Sequence, residues 1–311
     1  MLSEKLHNVA LDRRATVVKT PVLSVKGTSK MSKSFSIATV LLVALTAPLA
    51  CAQTVRQPGA IYDFDVKDQK PAAAPSHDIS GVWEPAKGPG DAIQANGAKA
   101  MPSDGKTEHD LHFTPAGEEA FRAHKPGFGI TSVPTAFVND PVDICDPQGF
   151  PRIVLHNFRT SQIVQTSNQV LILYEFNKKW RVIWTDGRAL PKDPEPRWWG
   201  YSVGKWVDDH TFVAQTVGVD DRTWLDNAGR PHSDALRVEE RYRRVDRDHL
   251  EMTITIDDPK VYTKPWVALD KLPLRLQARG FDIMEMECSP SETAKYNQRL
   301  GNPASGVSNN K

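Results

Sequence analysis

Between Asp220 and Asp234 the chain places four carboxylates, two arginines, a histidine and two hydroxyl groups in one Gly/Pro-containing stretch flanked by strand-like runs. Loops on a rigid scaffold carry function more often than the scaffold itself. His232, within reach of Asp221, Asp226 or Asp234, has the makings of a general base, because a carboxylate fixes the imidazole tautomer and raises its pKa towards working pH. Arg222 offers a bidentate fork for a substrate carboxylate or a developing oxyanion. Ser233 is not a nucleophile for His232, since adjacent side chains on extended backbone point apart. A structural reading competes with the catalytic one. Asp and Asn hydrogen-bond their own turns, and an Arg–Asp pair can simply brace a long loop. Calcium is a third reading of the same oxygens, although EF-hand spacing is absent.

Two further groups of residues bear on chemistry. In Arg237-Val238-Glu239-Glu240-Arg241-Tyr242-Arg243-Arg244 a period of two sets Arg237, Glu239, Arg241 and Arg243 on one face. Glu240 then falls between Val238 and Tyr242 on the inward face. A buried carboxylate is costly unless paired, so Glu240 joins His232 and Asp221 as a catalytic candidate. Trp199, Tyr201 and Trp224 offer aromatic contact area for a ligand, with Arg222, His232 and Asp221 orienting its polar groups and Asp226 and Asp234 as further ligand-binding candidates; packing is the competing reading. Trp83 and Trp206 read as core. No HExxH, CxxC, P-loop or GxGxxG pattern occurs, so neither a metal nor an organic cofactor is implied.

These residues must be held by strands. Ser161–Thr166 and Gln169–Glu175 read as a hairpin around Ser167-Asn168, followed by Trp180–Thr185, Tyr201–Trp206, Thr211–Val219, Leu236–Val245 and Leu250–Ile256. Leu274–Cys288 reads as the last one or two strands. One helix is marked from Pro115 to about His124, with Thr114 as N-cap, Pro at the first position, Glu118 and Glu119 in the first turn, and Pro126 beyond the end. Strands at regular spacing with tight polar turns predict an all-β fold, an antiparallel up-and-down barrel with one short helix and long loops.

The front of the chain is a leader. Ile37–Leu49 is apolar, follows Lys30 and Lys33, and is too short for a membrane-spanning helix of about 20 residues. It ends in Ala50-Cys51-Ala52, so residues 1–52 read as leader and signal peptide, with Met31 an alternative start. Lipid anchoring through Cys51 fits less well, because Leu49 sits one place too late. Residues 53–78 read as a flexible segment, 79–301 as the barrel domain and 302–311 as a disordered tail. Beyond residue 52 there are 32 Lys/Arg against 36 Asp/Glu, a net charge of −4 that excludes nucleic acid as the main partner. No second long apolar run follows, so no transmembrane segment is expected in the mature chain. Cys145 and Cys288 remain as a natural disulfide pair in an oxidising compartment, with two buried thiols as the alternative.

Two resemblances add to this. Ser80-Gly81-Val82-Trp83 is similar to the Gly-x-Trp opening of lipocalins, which implies an up-and-down barrel around a cup with a Trp plugging its base. Cys145-Asp146-Pro147-Gln148-Gly149-Phe150-Pro151-Arg152, Ile183–Arg188, Gly200–Trp206, Arg222–Asp226, Gly229–Ser233 and Tyr262–Trp266 resemble a family of secreted bacterial proteins of unknown function, described as lipocalin-like. That family often carries His where this chain has Tyr201, which weakens a metal or acid–base role there. The leading reading is an exported, periplasmic or secreted barrel that binds a small, partly apolar ligand in its cup. The alternative is a cofactor-independent hydrolase, lyase or isomerase using His232 as general acid/base. A structural envelope protein is the third reading, and oligomeric state is left open.

Overall fold

A computed structural model describes residues 72–88, 96–156 and 158–307. Residues 1–52, expected to be the leader, and with them Cys51, lie outside the described residues. Nine strands close into a barrel in chain order: β1 (Gly81–Pro85), β2 (Ser161–Gln165), β3 (Gln169–Tyr174), β4 (Trp180–Trp184), β5 (Tyr201–Trp206), β6 (Thr211–Val217), β7 (Arg237–Arg244), β8 (His249–Asp257) and β9 (Trp266–Leu276). β1 pairs with both β2 and β9. The barrel expected from the strand spacing is therefore present, with one change of direction. Strands that alternate up and down cannot close on an odd number, so one neighbouring pair has to be parallel. That pair is β4–β5, joined in register at Ile183↔Ser202 and Trp184↔Val203 alone, whereas every other pair is antiparallel. Because β4 and β5 run the same way, residues 185–200 must return along the barrel wall to start β5.

Burial follows the period of two. Val238, Glu240, Tyr242 and Arg244 of β7 and Leu250, Met252, Ile254 and Ile256 of β8 face inward. Trp83 is fully buried, its Nε1 donating to the Ile79 carbonyl at 3.0 Å, and the Arg244 guanidinium lies 4.6 Å above its ring. Arg244 also donates to the Asp78 and Asp246 carbonyls, which fastens the closed end. Residues 72–78, expected to be flexible, are tied there as well: Arg247 N–H donates to the Ala72 carbonyl and His77 N–H to that of Asp209.

The opposite end is filled. The long β1–β2 connection contains α1 (Pro115–Ala123), capped by Thr114 as expected, whose Oγ1 accepts from Gly117 N–H at 3.0 Å. It also contains α2 (Arg152–Leu155), every residue of which is buried. Phe150, Ile153, Val154, Leu155 and Phe158 belong to the same core as the inward strand residues. The expected cup is thus occupied by the chain's own plug. The expectation of a strand over Leu274–Cys288 is also corrected: β9 begins at Trp266, and the segment after Leu276 bridges Phe176 at Met286 before α3 (Pro290–Tyr296). Cys145 and Cys288 are disulfide-bonded with Cα atoms 5.6 Å apart, tying the plug's leading turn to that segment. Asn302–Ala304, placed in the expected disordered tail, is helical.

Candidate functional site

The polar loop folds onto itself. Asp226 is fully buried; one carboxylate oxygen accepts from Ala228 N–H at 3.0 Å and Arg230 N–H at 3.3 Å, the other from Ala98 N–H at 3.0 Å and Arg230 Nη1 at 2.8 Å. Burial pushes this carboxyl up, but the Arg230 charge and the hydrogen bonds outweigh it and hold the group below the usual carboxylate range. Arg222 is held bidentately by Asp220 and stacks over Trp198, while Asp234 takes Lys260 at 2.5 Å. Trp224 is buried against His124, ring centroids 4.3 Å apart. Each of these residues has a partner inside the fold.

His232 is buried too. Its Nε2 is bonded to Thr223 Oγ1 at 2.7 Å and its Nδ1 lies 3.2 Å from the Ser233 carbonyl, so both ring nitrogens are engaged within the loop. Asp221 is exposed and acts on the imidazole only through its field. Glu240 belongs to a different network in the lumen: its carboxylate pairs with both terminal nitrogens of Arg181 and accepts from Tyr242 Oη at 2.6 Å. Arg181 further donates to Ser202 and Thr216, and its guanidinium lies 3.7 Å over the Phe150 ring of the plug. Burial pushes the Tyr174 hydroxyl beside this pair up to about 12. His232 and Glu240 are therefore held in separate networks, and Asp221 is bonded to neither.

The loop's imidazole sets an expected pH response. Burial lowers the His232 pKa below its usual 6.5 against the pull of the Ser233 carbonyl and nearby carboxylates, and lowers that of His124 likewise. The native state keeps these rings neutral while the unfolded chain takes up protons below about pH 6.5, so stability should fall as pH drops from there. Glu84 and Asp143, whose carboxyls burial raises, act in the opposite sense. The contrast with His232→Gln isolates the imidazole: thermal midpoints between pH 7 and 5 should slope less in the variant. Parallel slopes would contradict the assignment.

Open space lies at the parallel seam. The strands β4 and β5 diverge beyond their short pairing, and residues 185–200 pass over the gap. A cleft of about 550 Å3 results, lined by Trp180, Trp184, Trp199 and Tyr201 together with Lys179, Arg188 and Arg197, with buried Arg181 and Ser202 at its floor. No carboxylate lines it. Besides Arg181 over Phe150, two of its cations are fixed against aromatic faces: Arg188 over Trp184 at 3.6 Å and Arg197 over Tyr201 at 4.1 Å. Arg188 is shared with Asp186, whereas Arg197 has no carboxylate partner among the described residues. Its backbone is pinned instead, donating to the Gly218 carbonyl and accepting from Asp220 N–H, each at 3.0 Å. The polar loop thus positions one wall of the cleft through its first residue. Trp199 stacks on Tyr174 with centroids 5.8 Å apart.

Of the residues expected to bind ligand, Trp199 and Tyr201 meet here, while Arg222, Trp224, Asp226 and Asp234 do not line the cleft. Trp180, Trp184, Arg188 and Arg197 were missed. The available signal was the aromatic–basic alternation of Trp180-Arg181 and Trp184…Arg188 around a turn, which reads equally as an ordinary strand. Among the described residues there is no cluster of three metal-ligating side chains, and no helix is long and apolar enough to cross a membrane. The fold defines a closed nine-stranded β-barrel with a plugged mouth and a side cleft. No protein-family model, curated protein or solved structure matched the chain.

Proposed function

We propose that this protein binds a small planar anion in the seam cleft. The observation that carries the reading is the lining itself: three tryptophans, a tyrosine and four cationic side chains with no carboxylate among them. The volume lies within the range of about 300–1,000 Å3 usual for small-molecule sites, and flat apolar walls with a few fixed charges suit a ring system bearing a carboxylate, sulfonate or phosphate. The ligand space is accordingly beside the lumen, since the plug occupies the cup. Export to an oxidising compartment belongs to the same proposal, supported by the Cys145–Cys288 bridge. The acid–base reading of His232 draws no support from a ring whose nitrogens are both engaged.

Two dyes of nearly equal shape test it: 8-anilinonaphthalene-1-sulfonate and its neutral parent N-phenyl-1-naphthylamine. A charge-assisted contact contributes about 1.5–3 kcal/mol, so the sulfonate should bind about tenfold tighter or more, judged by fluorescence titration. The Arg188→Ala/Arg197→Ala double variant should lose that preference and keep residual affinity for the neutral dye. Equal affinities of the two dyes for the native protein would refute the anion site.

A further inference from the structure

A second cleft lies between the β1–β2 connection and Arg230 of the polar loop, apart from the seam cleft. Its volume is about 310 Å3, and its lining includes His109, Lys106, Arg230 and an apolar side formed by Leu111, Phe113 and Phe121. His109 closes a short 3-10 turn, Thr107–His109. Its Nδ1 lies 2.9 and 3.1 Å from the two carboxylate oxygens of Asp104, which also accepts from Lys106 N–H at 3.1 Å. The hydrogen bond from His109 holds the Asp104 carboxyl below its usual range. A carboxylate at Nδ1 selects the tautomer protonated there and leaves the Nε2 lone pair as a base. Among the described residues no hydrogen bond engages Nε2. Arg230 is buried, with Nη1 held by Asp226, so its guanidinium is a rotationally fixed donor group on the cleft wall. Of the other charges there, Glu118 is paired with Arg122 and Lys106 stands 3.6 Å from Asp104, which leaves Asp110 at the rim.

We propose that this cleft is a hydrolytic site for small neutral carboxylic esters, with His109 as general base, Asp104 as its positioning residue and Arg230 as donor to the carbonyl oxygen. In the step, His109 Nε2 takes a proton from water as the water oxygen bonds to the carbonyl carbon. The carbonyl oxygen becomes an anion beside Arg230. When the tetrahedral centre collapses, the bond to the ester oxygen breaks and His109 returns the proton to the departing alcohol, leaving a carboxylic acid. The Phe113 and Phe121 rings, stacked with centroids 5.1 Å apart, form an apolar wall for the acyl or aryl group.

The test is saturable release of nitrophenol from 4-nitrophenyl butyrate by the full-length protein. General-base contributions run to about 10²–10⁴-fold, so His109→Ala should lower kcat/KM at least a hundredfold with the circular dichroism spectrum unchanged. Asp104→Asn should lower kcat about tenfold or more with little change in KM. Nitrogen NMR should then show the His109 proton moving from Nδ1 to Nε2. Turnover that is absent, non-saturable or indifferent to Asp104→Asn would overturn the proposal, because an unoriented surface imidazole behaves in that way.

Discussion

Glu240→Gln is expected to lower the unfolding free energy by about 3–5 kcal/mol, the usual cost of stripping one partner from a buried ion pair. Glu240 is fully buried and Arg181 nearly so, and the variant leaves a guanidinium in the lumen with no counter-charge. Burial opposes the Arg181 charge, but Glu240 outweighs it and holds the side chain protonated, so the cation has no ready route to neutrality. Adding Arg181→Met should recover much of the loss, since removing both charges also removes the desolvation cost. Urea denaturation of the two single variants and the double gives the coupling directly. Strict additivity would show that the pair is not an energetic unit. Arg181 is also the floor of the seam cleft and the lid on Phe150, so Glu240→Gln should speed amide exchange in the plug, residues 150–156.

Asp226→Ala should be comparably damaging, at about 3–5 kcal/mol, by the same arithmetic applied to Arg230. In addition three backbone N–H groups lose their acceptor, each in a buried setting. Asp226→Asn keeps one carbonyl oxygen and should cost less than Ala. If both variants unfold within about 0.5 kcal/mol of the native protein, in the range of ordinary surface substitutions, the loop is not the brace described above.

Much of the barrel was legible from alternation alone. Val170, Ile172 and Tyr174 of β3, and Val238, Glu240 and Tyr242 of β7, face inward as a period of two requires. Thr114 and Pro115 announced their helix because a cap and a preset φ act locally. β9 was hidden by its own irregularity. Ala268 and Leu269 are both buried, Lys271 takes φ 48°, and the register with β8 shifts around Ile254, so the apolar positions fall out of phase. Pro273 inside the strand is a further residue type that argues against one. The plug was illegible for a different reason: Phe150-Pro151-Arg152-Ile153-Val154-Leu155 is buried on every side and therefore has no amphipathic period.

The site was less readable than the fold. The inward position of Glu240 could be derived from β7, but its partner Arg181 lies on β4, three strands away in the barrel, and only the pairing of β4 through β7 brings the two together. The polar loop drew attention by composition, yet composition cannot distinguish carboxylates offered to a ligand from carboxylates consumed by the fold. Nor could strand spacing foretell the cleft, which follows from an odd strand number and the single parallel pair it imposes.

The Cys145–Cys288 bond closes a ring of chain that encloses β2 through β9 and leaves β1 outside it. Pulled from its ends, the polypeptide can therefore surrender the segment before Cys145, with β1 and α1, and the segment after Cys288, with α3, without rupturing a covalent link; the remaining eight strands are looped together. During synthesis the same topology means that the ring cannot close until Cys288 has emerged, after all nine strands, so the barrel wall can gather before it is locked.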